Sequence, residues 1–334
     1  ASLPDLTGRT VVVTGTTSGL GLALSGALAG AGARVLMTVR DAERGAAAVE
    51  RAQAATDGSG STEAVLLDLA DLTSVRAAAL DIRERTEDRV DVLVNNAAVS
   101  LGPHARTLDG FELQIGTNHL GPAALTWLLM PALRAAGDPD RPSRVVTTSS
   151  LAHRTGRLDP TDLHWERRRY SPTRAYGASK LANLLFAAEL DRRLRLTGDP
   201  VLSVAAHPGL TTSDLLSNAL ARGSTWGARL LVLPDRYLSQ PVAAGIAPQL
   251  LAASGSVHGG DYLGPTGPLE IRGQAGSARR SAAAQDPVLA GELWQATSAA
   301  TGVTPDPDGN RDRDQDQDQD QDQDQGPAAA CSPP

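Results

Sequence analysis

Tyr176 and Lys180 stand four residues apart in "YSPTRAYGASK", and so do Tyr170 and Arg174. Residues four apart share a helix face, so either spacing can set a phenol in the field of a cation. A free tyrosine, with a pKa of about 10, stays protonated near neutrality and is a poor base. A nearby positive charge favours the phenolate and moves the group toward the range where general acid–base catalysis works. Pro172 separates the two pairs. Proline disfavours helix at the residue before it, here Ser171, so Tyr170 and Arg174 are not expected to share a face. Tyr176 and Lys180 continue into "LANLLFAAELDRRL", which has helical spacing, and they are the better candidates for proton transfer.

A second group of residues has the chemistry of phosphate binding. "TGTTSGLG" carries Gly15, Gly19 and Gly21, with Thr17, Ser18 and Leu20 between them, after the apolar run "RTVVVTG" and before the helical stretch "LALSGALAGAG". Glycines there let a turn tighten and let main-chain N–H groups reach a pyrophosphate at a helix N-terminus. The next run ends "MTVRD", where a nucleotide-binding sheet selects its cofactor. Val39 offers nothing to ribose hydroxyls, whereas the Arg40 guanidinium matches a 2′-phosphate. Asp41 is either a ribose acceptor or the cap of the helix that follows. NADP(H) is therefore the preferred cofactor, with NAD(H) the alternative.

These residues need a sheet to hold them. Seven short runs rich in Val and Leu, at 9–15, 33–39, 62–69, 89–97, 143–150, 201–208 and 260–265, alternate with helical stretches. Continuous apolar runs suit strands buried on both faces, so the fold class is α/β: a doubly wound parallel sheet (Rossmann fold) of about seven strands. Residues 1–303 are expected to form one domain. Within it, 210–258 breaks the strand–helix rhythm and reads as two or three helices, either a substrate lid or plain structural helices. Residues 304–334, with a strict Asp-Gln alternation, have too little apolar surface to offset ordering entropy and are expected to be disordered.

Bulk properties narrow the function. The 334 residues are 41% apolar and 3% aromatic, so packing rests on Ala, Val and Leu. Net charge is −7 with no basic stretch, which argues against nucleic-acid binding. The single cysteine, Cys331, excludes an intrachain disulfide framework and fits a reducing compartment. The N-terminal residues show no signal pattern, and no apolar run is long enough to span a membrane, so a cytoplasmic location is expected. The scattered histidines show no metal-ligand spacing, and no metal site is expected. No G-x-S-x-G surrounds Ser150, which removes a hydrolase triad with His153 and Asp159.

Together these motifs resemble the short-chain dehydrogenase/reductase family over roughly residues 8–300. Gly15, Gly19 and Gly21 match its T-G-x-x-x-G-x-G, and Tyr176 with Lys180 its Y-x-x-x-K. Asp68, followed by Leu69, matches its adenine-contacting acidic residue. "NNAA" at 95–98 is similar to its N-N-A-G, which implies cofactor contacts at Asn95 and Ala97; Ala98 departs from the pattern. Ser150 would hydrogen-bond the substrate oxygen, the adjacent Ser149 facing the opposite side. Asn118 would order a water chain from Lys180, and Lys180 would hold the nicotinamide ribose. Pro208, Gly209 and Thr211 would lie by the carboxamide. Ser150 and Tyr176 are 26 residues apart, and the long segment between them, with "SSLAH" and Arg40-Asp41, resembles the retinol-dehydrogenase-like subgroup.

The resemblance implies hydride transfer between nicotinamide and a carbonyl or alcohol, and the Leu-, Val- and Ala-rich segment at 210–258 points to a small, fairly apolar substrate. It also implies a possible homo-oligomer paired through the helices holding Asn118 and Tyr176. A nucleotide-binding sensor without turnover, or a non-redox lyase or epimerase on the same fold, are the alternatives.

Overall fold

All seven apolar runs become strands: β1 (Thr10–Val13), β2 (Arg34–Val39), β3 (Ser61–Leu66), β4 (Val92–Asn95), β5 (Ser143–Thr148), β6 (Val201–Ala206) and β7 (Tyr262–Pro265). The computed structural model describes residues 3–56, 60–211 and 240–304. An eighth strand, β8 (Ala275–Ser277), pairs antiparallel with β7. Its sequence, "AGS", has no apolar run to announce it. The sheet order is β3-β2-β1-β4-β5-β6-β7-β8, and every pairing from β3 to β7 is parallel.

Strand alternation assigns the core to two faces. Val12 of β1 points to one face, where it packs with α3 (Leu72–Arg85), α4 (Gly121–Ala136), α5 (Pro172–Thr197) and α7 (Pro287–Thr301). Val11 and Val13 point to the other face, toward α1 (Gly19–Gly30), α2 (Ala42–Ala54) and α6 (Ala247–Ser254). All three valines are fully buried, each contributing about 1.5–3 kcal/mol.

Two local features of the helices bear on the site. Ser171 is the N-cap of α5 and Pro172 its first residue, where a missing N–H costs nothing, so Tyr170 lies outside the helix as expected. Ahead of α4, a helical turn (Leu113–Ile115) passes through a π-helical segment (Gly116–Leu120) that carries Asn118. Such single-turn bulges re-aim the side chains of an otherwise regular helix.

The part of the expected lid at 212–239, and the expected disordered tail from 305 on, lie outside the described residues. The remainder of the segment includes α6, which packs on the sheet face beside α1. No described helix is long and apolar enough to cross a membrane.

Candidate active site

The order of the sheet reverses between β1 and β4, and crevices outside the carboxyl ends of strands at such a point bind ligands. A cleft of about 430 Å³ opens there. Gly15, Thr17, Ser18, Gly19, Leu20 and Gly21 form one end of it. Gly15 and Gly19 have φ of 71° and 58°, the left-handed region open to glycine. A Cβ on Gly15 would fall 2.8 Å from the Ala97 Cα, and one on Gly21 would run into the Gly15 carbonyl and the Asn96 amide. At Gly19 a Cβ would meet nothing within 4 Å, so its absence leaves open room in front of the α1 N-terminus. No acidic residue lies in the first turn of α1, so the positive end of the helix is uncompensated there. A short turn, a helix N-terminus and open space fit a pyrophosphate.

The turn is tied to β4 from below. The Thr14 hydroxyl accepts from Asn96 N–H (2.9 Å) and Ala97 N–H (3.0 Å), and Asn96 Nδ2 donates to the Thr14 carbonyl (2.9 Å). Of the paired asparagines, Asn96 therefore borders the cleft. Asn95 is buried at 3% exposure and donates to Thr126 of α4 (2.9 Å), which places it away from the cleft. Adjacent residues at a strand end face opposite sides, and the sequence alone cannot say which faces in.

At the adenosine end, Asp68 and Leu69 line the cleft beside Arg40, Asp41 and Arg44. Asp41 is the N-cap of α2, its carboxylate accepting from Arg44 N–H (2.8 Å). Asp41 thus serves as the helix cap while also bordering the cleft. Arg44, in the first turn of α2, was not among the residues expected here, and no local spacing singles it out.

At the other end lie Ser150, Tyr176, Lys180, Pro208, Gly209 and Thr211. Ser150 stands near the Tyr176 phenol, and its hydroxyl accepts from Ala152 N–H (3.2 Å). Ser149 instead donates to the Lys180 carbonyl (2.8 Å). Lys180 is 2% exposed; its Nζ donates to the Thr148 carbonyl (3.2 Å) and lies 5.8 Å from the centre of the Tyr176 ring. Burial pushes the Tyr176 phenol up to about 12, opposed by the neighbouring Ser150 hydroxyl. Burial also pushes the Lys180 ammonium down to about 8. The expected lowering of the phenol is thus corrected: among the protein's own groups, burial raises it.

Asn118 is placed behind the cleft. Its Oδ1 accepts from Val99 N–H (2.7 Å), and its Nδ2 donates to the Val99 carbonyl (2.9 Å) and the Ser179 hydroxyl (3.0 Å). It clamps the cleft-lining Val99 main chain to α5, one residue before Lys180. Tyr170 donates to Glu112 (3.0 Å) and stacks on His104, away from Arg174. No group of three or more His, Cys, Asp or Glu with metal-binding geometry occurs among the described residues.

A doubly wound sheet with a phosphate turn at its switch point and a Ser–Tyr–Lys cluster across the cleft defines a nucleotide-dependent oxidoreductase. The chain belongs to the short-chain dehydrogenase family, whose sequence pattern matches residues 9–222. It is a retinol-dehydrogenase-like member and an NAD(P)-dependent oxidoreductase of alcohols and carbonyls. Human retinol dehydrogenase 13 is 39% identical over 267 residues, covering 78% of each chain. Mouse polyprenol dehydrogenase is 45% identical over 217 residues, 65% of this chain and 64% of that one. Among solved structures, an uncharacterized protein from Mycobacterium Paratuberculosis superposes with a TM-score of 0.71 at 40% identity, covering 91% of this chain and 97% of its own. The Pseudomonas aeruginosa RhlG/NADP complex gives 0.59 at 25% identity, covering 78% and 96%.

Proposed function

We propose that this oxidoreductase uses NADP(H) and that Tyr176 exchanges the proton with the substrate oxygen, giving it up in carbonyl reduction and taking it back in alcohol oxidation. The observation that carries this is the convergence of Ser150, Tyr176 and Lys180 at one end of the cleft, with the Lys180 ammonium 5.8 Å from the centre of the Tyr176 ring. Ser150 and Tyr176 present two hydroxyls to one point, where they can donate to an oxygen on which negative charge grows. A phenol held up to about 12 is fully protonated at neutral pH and suits the reduction direction. When bound, NADP(H) supplies or accepts the hydride, and its oxidised ring adds the positive charge that favours the phenolate. Lys180 holds the ribose side of the site, and Asn118 fixes the Val99 wall beside it.

Preference for NADP(H) rests on the adenosine end. Asp41 caps α2 through one carboxylate oxygen, and Arg40 and Arg44 border the cleft on either side of it in sequence. A 2′-phosphate would receive charge-assisted hydrogen bonds there that a 2′-hydroxyl cannot. Val99, Leu101 and Leu210 line the same cleft. With relatives named for retinol and polyprenol, they favour an apolar aldehyde, ketone or alcohol as substrate.

The test follows NADPH and NADH absorbance with a panel of apolar aldehydes and ketones. Tyr176→Phe is expected to lower kcat by roughly 10²–10⁴-fold while NADPH binding stays within about twofold. Turnover surviving in that variant would sink the mechanism. Arg40→Ala and Arg44→Ala are each expected to weaken NADPH by roughly 10–100-fold and to leave NADH nearly unchanged. Equal loss for both cofactors, read by fluorescence titration, would remove the phosphate clamp.

A further inference from the structure

Behind the substrate end of the cleft, two buried histidines flank one tyrosine. His153 meets the Tyr262 ring edge-on at 5.7 Å, and His207 lies against the same ring at 5.3 Å. Both histidines are 0% exposed, and burial lowers both pKa values, His207 to about 3, so the rings are neutral in the working range. Their hydrogen bonds define their tautomers. His153 Nε2 accepts from Ser281 N–H (3.3 Å), so Nδ1 carries the proton and donates it to the Ser150 carbonyl at 2.7 Å. His207 is the reverse: Nδ1 accepts from Gly209 N–H (3.2 Å), and the proton sits on Nε2, 3.5 Å from a Glu270 oxygen.

We propose that His153 and His207 are positioning residues, each spending its Nδ1 on the main chain of one cleft wall: His153 holds the Ser150 hydroxyl in register with Tyr176, and His207 holds the Pro208–Gly209 turn. This rests on the reading of the cleft given above.

Ser150 needs such a hold. It stands at an abrupt change of direction, extended at φ −158° and followed at once by a 3-10 turn (Leu151–Thr155). Its carbonyl receives both the main-chain N–H (3.1 Å) and the ring N–H of His153, which fixes the peptide plane from which the side chain springs. Gly209 needs one too. At φ 68° it sits against the Ile271 carbonyl, and the Pro208 carbonyl accepts from Gln240 (2.7 Å). The two walls share a backing. Glu270 accepts from Arg154 (2.6 Å), the residue after His153, and from Arg279 N–H (3.0 Å), while facing His207. Leu269 and Glu270 both hold a left-handed φ, of 55° and 59°, an uncommon pair for residues with side chains. The turn is thereby bent to bring that carboxylate inward.

Asparagine places its amide where the imidazole has Nδ1, and glutamine where it has Nε2, so the two substitutions separate hydrogen bonding from bulk. His153→Leu is expected to lower kcat roughly tenfold while NADPH binding stays within about twofold, because only the reacting end moves. His153→Asn, with an N–H at the δ position, restores most of it and His153→Gln does not. His207→Leu is expected to weaken NADPH roughly tenfold with kcat at saturation nearly unchanged, and His207→Asn restores binding through its Oδ1. Amide hydrogen exchange supplies a readout independent of turnover: roughly tenfold faster exchange at 150–156 for His153→Leu alone, and at 207–210 for His207→Leu alone. Wild-type protein that consumed no NADPH would overturn the proton-transfer reading, while binding and exchange would still report on the histidines. The proposal falls if Asn and Gln variants behave alike, if both histidines change kcat and binding equally, or if exchange rises at both walls together. Where a Leu variant fails to fold, the Asn–Gln comparison decides.

Discussion

Lys180 holds a charge where charge is costly. Its stem and ammonium are buried in α5, and desolvation brings its pKa down to about 8. Lys180→Met is therefore expected to abolish turnover and yet raise stability at pH 7, by up to about 3 kcal/mol. The Thr148 carbonyl it leaves keeps a donor in Asn183 (3.0 Å). The sign with pH follows from the folded pKa lying below the ordinary 10.5. Between about 8 and 10.5 the unfolded chain holds the extra proton, so the wild type gains stability as pH rises through that window, and its gap to the variant closes. Urea unfolding of both proteins at pH 7 and pH 10 reads this. A wild type that is the more stable at pH 7 would contradict it. The spacing of Tyr176 and Lys180 was legible from sequence because an i,i+4 relation is local. The phenol's pKa was not, because it depends on what the remote strands and loops bury around it.

At the scale of elements, α5 and α7 show how a local signal and a long-range one differ. Pro172 and Ser171 announce the start of α5 in the sequence, and Gly198 closes it with φ 68°. What α5 packs against was not legible. Trp294 of α7 stacks on Phe186 of α5 at 5.5 Å and meets Trp127 of α4 at 5.0 Å. Thr297 of α7 hydrogen-bonds His119 of the π-helical segment at 2.8 Å. Three of the chain's few aromatic residues thus converge from segments far apart. α7 thereby packs within the chain on both α4 and α5. Trp294→Ala is expected to cost about 3–5 kcal/mol, the range for deleting a buried aromatic ring. Since His119 adjoins Asn118, the same variant should also loosen the Val99 wall. Thermal melting checks the first part, and a loss of kcat beyond the loss of folded protein checks the second. A change below about 1 kcal/mol would mean that α7 is only loosely docked.

The whole molecule is sensitive to acid for a reason the composition hides. His119, His153 and His207 are buried and neutral, with His119 pushed down to about 4 and His207 to about 3. Below the ordinary value of 6.5 the unfolded chain binds protons that these folded rings refuse. Stability is therefore expected to fall as pH drops from about 6.5 toward 4, by up to about 1.4 kcal/mol per pH unit for each histidine. Melting temperatures between pH 7 and pH 4.5 test this, and His119→Gln should flatten the slope. A melting temperature that holds steady to pH 5 would show that the rings accept protons in the folded state.

Sequence by itself determined what spacing determines. Seven strands in chain order and the shared face of Tyr176 and Lys180 follow from strand and helix periods, and the glycine turn from residue types between a strand and a helix, all acting over a few residues. Tertiary structure decided which of the paired asparagines faces the cleft, Asn96 and not Asn95. It also decided that Asp41 is a cap, that Arg44 joins Arg40, and that "AGS" adds an eighth strand. It placed His153 and His207 against the main chain of the two cleft walls. Each of these depends on burial and on partners many residues away, and no local period encodes which distant segment will arrive to supply them.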